Sequence, residues 1–313
     1  FDGYQALLEK TTSEQIVLYD IGEEFLKEHG QWPPKRTVLA QLTADLYNAG
    51  AGLVVFNILF AEEDRLGGDA DFVSVLQQVP VVGTQVASVR GRDDDATPRG
   101  LSFSGNPFPY LFQYPGAVKN IQPIADTLAG IGMVSTVPEV DGVVRRMPLF
   151  VRVGEKVIYP SLPMEILRVL VGSKSAQIKT EAAGISKVRV RGFPIVETDP
   201  HARIWIDYST EIPRNVDVKG KIVIVGLTAE GLTQTVPTPF GSQDIHEVNA
   251  KTLHTIMSGT SIKRWDIANQ LEILDFFLFG LILIVLVPRL GMKWTLPIVL
   301  FLFSTGAYSA VYA

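Results

Sequence analysis

From Phe276 to Val287 the chain reads FFLFGLILIVLV without a charged side chain, and from Trp294 to Ala313 it reads WTLPIVLFLFSTGAYSAVYA, again uncharged. Runs of this kind are solvated by lipid or by a large protein core. Two of them, joined by the basic hexapeptide PRLGMK, suit lipid better than a pair of core helices. A membrane-spanning helix needs about 20 mostly apolar residues. The first run reaches that length by extending back past Asp275 and Glu272, with the acids near the interface. The expectation is a transmembrane helical hairpin over residues 266–313, with spans at about 268–287 and 294–313 and a loop at 288–293. Arg289 and Lys293 in the loop are balanced by Lys263 and Arg264 before the first span. Positive-inside counting is therefore a tie and leaves the orientation open.

The remaining composition mostly excludes. The net charge of -5 and the lack of a local basic patch speak against nucleic acid as a partner. With no cysteine there are no disulfides, thiolate metal sites or thiol nucleophiles. FDGYQALLEKTT lacks the charged start and apolar run of a signal peptide, and a first residue of Phe leads to the expectation that a segment precedes it.

Before the apolar C-terminus the pattern is α/β. EQIVLYD (14–20) reads as a strand buried on both faces. Glu23 to His29 suits a short helix stopped by Gly30, and Gln31 to Pro34 an irregular turn, because successive prolines block a helix interior. Thr37 is the expected N-cap of a helix carrying Leu39, Leu42, Leu46 and Tyr47 to Asn48. GLVVFNILF (52–60) is a second buried strand, which completes a βαβ unit. An acidic loop, AEEDRLGGDAD, leads to a short helix over Phe72 to Gln78, and PVVGTQVA is a third strand. Arg90 to Pro109 reads as a loop. Turns at Asp141-Gly142 and Gly154-Glu155 signal hairpins. Ser161 opens a helix with Leu162, Ile166, Leu167 and Leu170 on one side. KVRVRG, ARIWIDY and KIVIVG are strands, and Glu247 to Met257 is a helix. The expected fold is α/β: a mixed, largely parallel sheet flanked by helices, with a β-hairpin insertion, followed by the transmembrane hairpin.

Little here carries chemistry. GLTAEGLT (226–233) follows a strand like a phosphate loop, but Leu232 stands where that loop needs lysine, which leaves a glycine-bearing turn as the better reading. Among four histidines no HxxxH or HExxH pair occurs; a metal site on His246 and Glu247 is a weak alternative to hydrogen bonding at a helix start. There is no G-x-S-x-G elbow. The Asp93, Asp94, Asp95 run reads as a solvated loop. Asp20 and Asn57 stand at or near the carboxyl ends of parallel strands, where ligands of open α/β sheets gather; the alternative for each is local turn bonding. With Trp32 and Arg145 they form the candidate ligand-binding set. Of Arg145 and Arg146, one is expected to face solvent and the other the sheet, where it needs a carboxylate such as Glu139 or Asp141. No cofactor and no metal is expected.

The segments FDGYQALL, IVLYDIGEE, GQWPPKR, AGAGLVVFNILFAEED, DGVVRRMPL, KIVIVGLTAEGLTQTVPTPFG and IHEVNAKTLHTIMSG occur in that order along nearly the whole chain. In them the chain resembles the second type of CHASE domain, the extracytoplasmic sensory module of bacterial cyclases and histidine kinases. The resemblance implies one transmembrane helix before Phe1, a sensory domain over 1–265 facing the periplasm or exterior, and typically three helices after it. PRLGMK is then cytoplasmic and the protein sits in the bacterial inner membrane. It also implies a cytoplasmic effector that lies outside this sequence: a class III adenylate or guanylate cyclase, a histidine kinase, a diguanylate cyclase or a Ser/Thr kinase, with cyclase the commonest. A homodimer follows if the effector is such a cyclase. The resemblance brings no catalytic residue, so the chain itself reads as no enzyme. Two departures stand out: Asn57 where the family commonly has Asp, and an insertion at Glu247-Val248. The expected partners are the lipid bilayer and an unidentified extracytoplasmic ligand or protein, with the link Thr260 to Asp266 passing the signal on. The rival expectation is an envelope structural or assembly module that binds another protein or itself without a small molecule.

Overall fold

The computed structural model describes residues 2–90, 100–155, 157–261 and 268–290, with 297, 299–301 and 304 beyond them. The chain forms two compact units: one of Asp2 and Leu8–Ser261, the other of Phe1, Gly3–Leu7 and Ile262–Ala313.

The larger unit is built on β1 (Ile16–Ile21), α1 (Glu23–His29), α2 (Arg36–Asn48), β2 (Leu53–Phe56), α3 (Asp69–Leu76), β3 (Val81–Ser88), β4 (Gly116–Val118), α4 (Gln122–Thr127), β5 (Gly130–Met133), α5 (Leu162–Leu170), β6 (Ile222–Leu227) and α6 (Ile245–Ser258). The central sheet runs β1-β6-β2-β3-β5, all parallel, and β4 pairs antiparallel with the far end of β3. All four residues of β2 are buried. The alternation of strand side chains explains how. Leu53 and Val55 join Ile222 and Ile224 in one cluster, which includes Leu162 and Ile166 of α5 and Leu253 of α6. Val54 and Phe56 join Val223 and Val225 in another, with Leu39 of α2, Phe72 of α3 and Ile124 of α4. Helices on both faces are what permit unbroken apolar strands. On the second face the rings of Phe56, Phe60 and Phe72 meet edge to face with centroids 5.2–5.7 Å apart.

Close packing also dictates composition in β5. A Cβ on Gly132 would lie 2.4 Å from the Leu162 Cα, so α5 can lie against GIGM only because that position has no side chain. Beside it, Glu165 is buried, pairs with Arg168 at 2.7 Å and accepts the Ile131 N–H at 3.2 Å.

The expected α/β class, a largely parallel sheet flanked by helices, is what forms, with local corrections; the transmembrane hairpin expected after it is not borne out among the described residues. Thr37 does not cap α2. The helix begins one residue earlier, and Asp64 from the acidic loop accepts the Arg36 N–H at 2.7 Å in place of a cap on the helix's own chain. The expected third helix starts earlier, at Asp69. Leu101–Ser104, expected in a loop, is a strand parallel to Ala176–Glu181, with which Gly184–Val190 and Val196–Glu197 complete a four-stranded sheet. The Gly154 turn joins a true hairpin, Phe150–Val153 with Val157–Pro160. The Asp141-Gly142 turn joins none: the Arg146–Pro148 strand that follows it pairs instead with Arg203–Trp205. Leu170, expected on the buried side of α5, is 42% exposed. The Asp93 to Asp95 run lies outside the described residues.

In the smaller unit α7 (Ala268–Leu290) is one continuous helix. Phe276, Phe277, Leu281 and Ile284 on it are 59–74% exposed. Among the described residues no helix is long and apolar enough to cross a membrane. The second expected span, 294–313, and most of the link Thr260 to Asp266 lie outside the described residues.

Candidate functional site

Because β6 lies between β1 and β2 in parallel register, three strand ends come side by side. Gly226 is level with Asp20, and Val225 with Phe56. The next residue, Asn57, donates its N–H to the Val225 carbonyl at 2.8 Å. α6 begins at this edge. A Cβ on Gly226 would lie 2.2 Å from Cγ of His246, so the apolar strand KIVIVG ends in glycine to make room for an imidazole.

His246 is 1% exposed, and its Nε2 lies 3.0 Å from Asp20 Oδ1. Asp20 accepts two further hydrogen bonds from Arg214 Nη1, at 2.8 and 3.0 Å. Arg214 Nη2 reaches Glu247 at 2.5 Å and Asp244 at 3.6 Å, and Glu247 pairs with Lys251 at 3.1 Å. Asn249 Nδ2 donates to Asn57 Oδ1 at 3.3 Å. Burial works to raise the Asp20 carboxyl, but the hydrogen bonds from His246 and Arg214 outweigh it and hold the group below its ordinary value. Burial likewise works to lower Arg214, and its carboxylate partners reverse that. The network ties the first turn of α6 to the end of β1 by charge-assisted bonds.

In front of this network is a cleft of about 290 Å³. Its polar side chains include Trp32, Asn57, Thr84, Gln234 and His246, and its walls include Val86, Val118, Val134, Leu227, Leu232 and Ile245. Among the described residues no Asp, Glu, Lys or Arg lines it. Thr84 is 2% exposed, and its hydroxyl has no hydrogen-bond partner among the described residues. Leu232, at the position where a phosphate loop has lysine, contributes apolar wall. Its loop is tied to the start of α6 by Thr233 Oγ1, which donates to Asp244 Oδ1 at 2.7 Å.

Trp32 also lines a larger neighbouring cleft of about 730 Å³, whose wall includes Lys35, Arg36, Glu62, Asp64 and Arg65. Arg36 is already engaged there, by Asp69 at 3.2 Å, the Glu62 carbonyl at 2.9 Å and the Phe60 ring.

Of the sequence candidates, then, Asn57 and Trp32 share the smaller cleft and Asp20 lies behind it through His246. Arg145 lines neither cleft. It is paired in a two-pronged contact with Asp2 at 2.7 Å and with Asp141 at 2.8 Å. Arg146 takes Glu139 at 2.6 Å and Asp199 at 3.0 Å and lies over the Trp205 ring. Each arginine thus uses one of the two carboxylates named from sequence, and neither faces solvent openly: their side chains are 16% and 20% exposed. Sequence reasoning left out Thr84 and Arg214. Nothing local marks either one, since a threonine inside a strand and an arginine after a proline are ordinary. Gly226 did carry a signal, as a glycine closing an apolar strand. His246 and Glu247 are bonded to Asp20 and to Arg214 and Lys251, and among the described residues no group of three or more His, Cys, Asp or Glu is gathered for a metal ion.

Among known proteins, a family model described as the CHASE2 domain matches residues 1–286. No curated protein and no solved structure matches the chain.

Proposed function

This chain belongs to the CHASE2 domain family, a family of extracytoplasmic sensory domains that is not catalytic, and from that premise we propose that it is the signal-receiving region of a bacterial transmembrane signalling protein. A ligand enters the cleft at the strand ends and biases the pose of α6. The chain then passes through residues 259–267 to α7 and on to a cytoplasmic effector, of which an adenylate or guanylate cyclase is the first choice. A ligand changes such an equilibrium only by binding its two conformations unequally. The observation that carries this reading is the position of His246: one side chain lines the cleft, sits on the first turn of α6 and is bonded to the end of β1.

The proposal includes the inner membrane. Exposed Phe276, Phe277, Leu281 and Ile284 on α7 are stable against lipid and unfavourable in water, at about 25 cal/mol for each Å² of apolar surface left wet. A dimer belongs to the same reading. The rival, an assembly module without a small-molecule ligand, draws its support from the same apolar residues, which a second helix would also cover.

The two readings separate in the full-length protein. Val118→Phe fills the cleft and leaves α7 untouched. The sensor reading expects it to alter the basal output of the effector or its response to cell extract. Unaltered output and response, together with retained self-association, would decide for assembly.

A further inference from the structure

The geometry points to the chemical class of the molecule that the smaller cleft takes: small, uncharged and mainly apolar, with one group that both donates and accepts a hydrogen bond. This inference rests on the sensor reading above and specifies its ligand.

Charge is the first discriminator. Among the described residues no Asp, Glu, Lys or Arg lines the cleft, and the ions behind His246 are committed: Asp20 to His246 and Arg214, Glu247 to Arg214 and Lys251. A carboxylate or ammonium entering this space gives up its water and meets no counter-ion, which binding does not repay.

The polar atoms left over define the rest. Asp20, held ionised, only accepts hydrogen bonds, so His246 Nε2 is the donor in their contact. Its Nδ1 has no partner among the described residues. Asn57 spends its Oδ1 on Asn249, and its Nδ2, a donor, has no partner among the described residues. The Thr84 hydroxyl, nearly wholly buried and equally without a partner, does either. A ligand group that reaches the cleft bonds it in place of water. The Asn57 amide N–H, the Thr84 hydroxyl, the His246 Nδ1 and the Gln234 side-chain amide, which both donates and accepts, answer an alcohol or a primary amide. The aliphatic walls answer a compact hydrocarbon body. At about 290 Å³ the space is at the lower end of ligand pockets, which hold about 300–1,000 Å³.

The test uses the whole chain in lipid nanodiscs and four probes with one skeleton: cyclohexanol, cyclohexanecarboxamide, cyclohexanecarboxylate and cyclohexylammonium. Melting temperature and the emission of Trp32, isolated by replacing the other tryptophans with phenylalanine, are followed at rising probe concentration. The neutral pair is expected to raise the melting point and shift Trp32 emission, while the charged pair does neither. Thr84→Val keeps the shape and removes the hydroxyl, and is expected to weaken the neutral probes by about tenfold. It also controls for partitioning of probe into the lipid. Binding of the charged pair in preference overturns the ligand class and leaves the sensor reading standing. No effect from either neutral probe, or equal effects in the wild type and Thr84→Val, overturns the inference as well. Failure of the sensor reading itself is read separately, from unaltered effector output in Val118→Phe.

Discussion

Two residues at the strand ends carry most of what is specific to the cleft, and both are testable one at a time. Gly226 has no room for a Cβ, because His246 Cγ would be 2.2 Å from it. Gly226→Ala is expected to destabilise the larger unit by about 1–3 kcal/mol, the usual range for overpacking a filled site, read as a lower denaturant midpoint with unchanged slope. Asp20 makes a pH argument. Its hydrogen bonds from His246 and Arg214 hold its native pKa below the ordinary 3.8. The unfolded chain therefore takes up the proton more readily, and stability due to the carboxylate is full above the ordinary value and is lost as pH falls through the native one. Asp20→Asn is expected to lower stability at pH 7 by about 2 kcal/mol. The deficit relative to wild type should shrink towards zero in acid melts below that window. A deficit that stays constant with pH would mean that the ionised form contributes nothing.

At the scale of elements, one amide ties the start of the link from β2 to β3 back to the sheet. Asn120 is 7% exposed, accepts the Phe60 N–H through Oδ1 at 2.9 Å and donates through Nδ2 to the Thr84 carbonyl at 2.8 Å. Asn120→Ala strands two backbone groups and is expected to cost about 2–4 kcal/mol, with Asn120→Asp retaining only the first bond. Hydrogen exchange at Phe60 reports the loss directly. Bonds of this kind also mark the limit of what the sequence discloses. The strands β1, β2 and β6 are legible because unbroken apolar runs bounded by glycines and acids fit only a sheet covered on both faces. The helices α1, α2 and α6 are legible by spacing. The start of α2 is not, because the group that accepts the Arg36 N–H, Asp64, belongs to a loop 28 residues away in the chain. The strand Leu101–Ser104 is not, because its partner Ala176–Glu181 is remote and its own residues are mostly exposed. The cleft was half legible. Asp20 and Asn57 follow from the rule that ligands gather at strand ends, whereas Thr84 enters it only because β3 lies beside β2, an adjacency that periodicity does not encode.

For the molecule as a whole, the proposed membrane association rests on α7. Its exposed apolar side chains lead to the expectation that the chain stays with membranes through alkaline carbonate washing. Leu281→Arg, near the middle of the helix, replaces an exposed apolar side chain with a charge and is expected to move a measurable fraction into the wash. Retention of this variant equal to wild type would place α7 against protein instead. The order of the central sheet has a further consequence, for how the chain comes to be built. The strand between β1 and β2, β6, is contributed by residues 222–227, while its two neighbours end at residues 21 and 56. Until residues 222–227 have been made, β1 has no ladder to join in this sheet, and its apolar residues wait beside an empty slot. Assembly of such long-range pairs is slow, and exposed strand edges invite wrong partners meanwhile. Fragments that stop before Lys221 are therefore expected to aggregate, although they contain β1, β2 and the helices α1 to α5 that pack on the sheet.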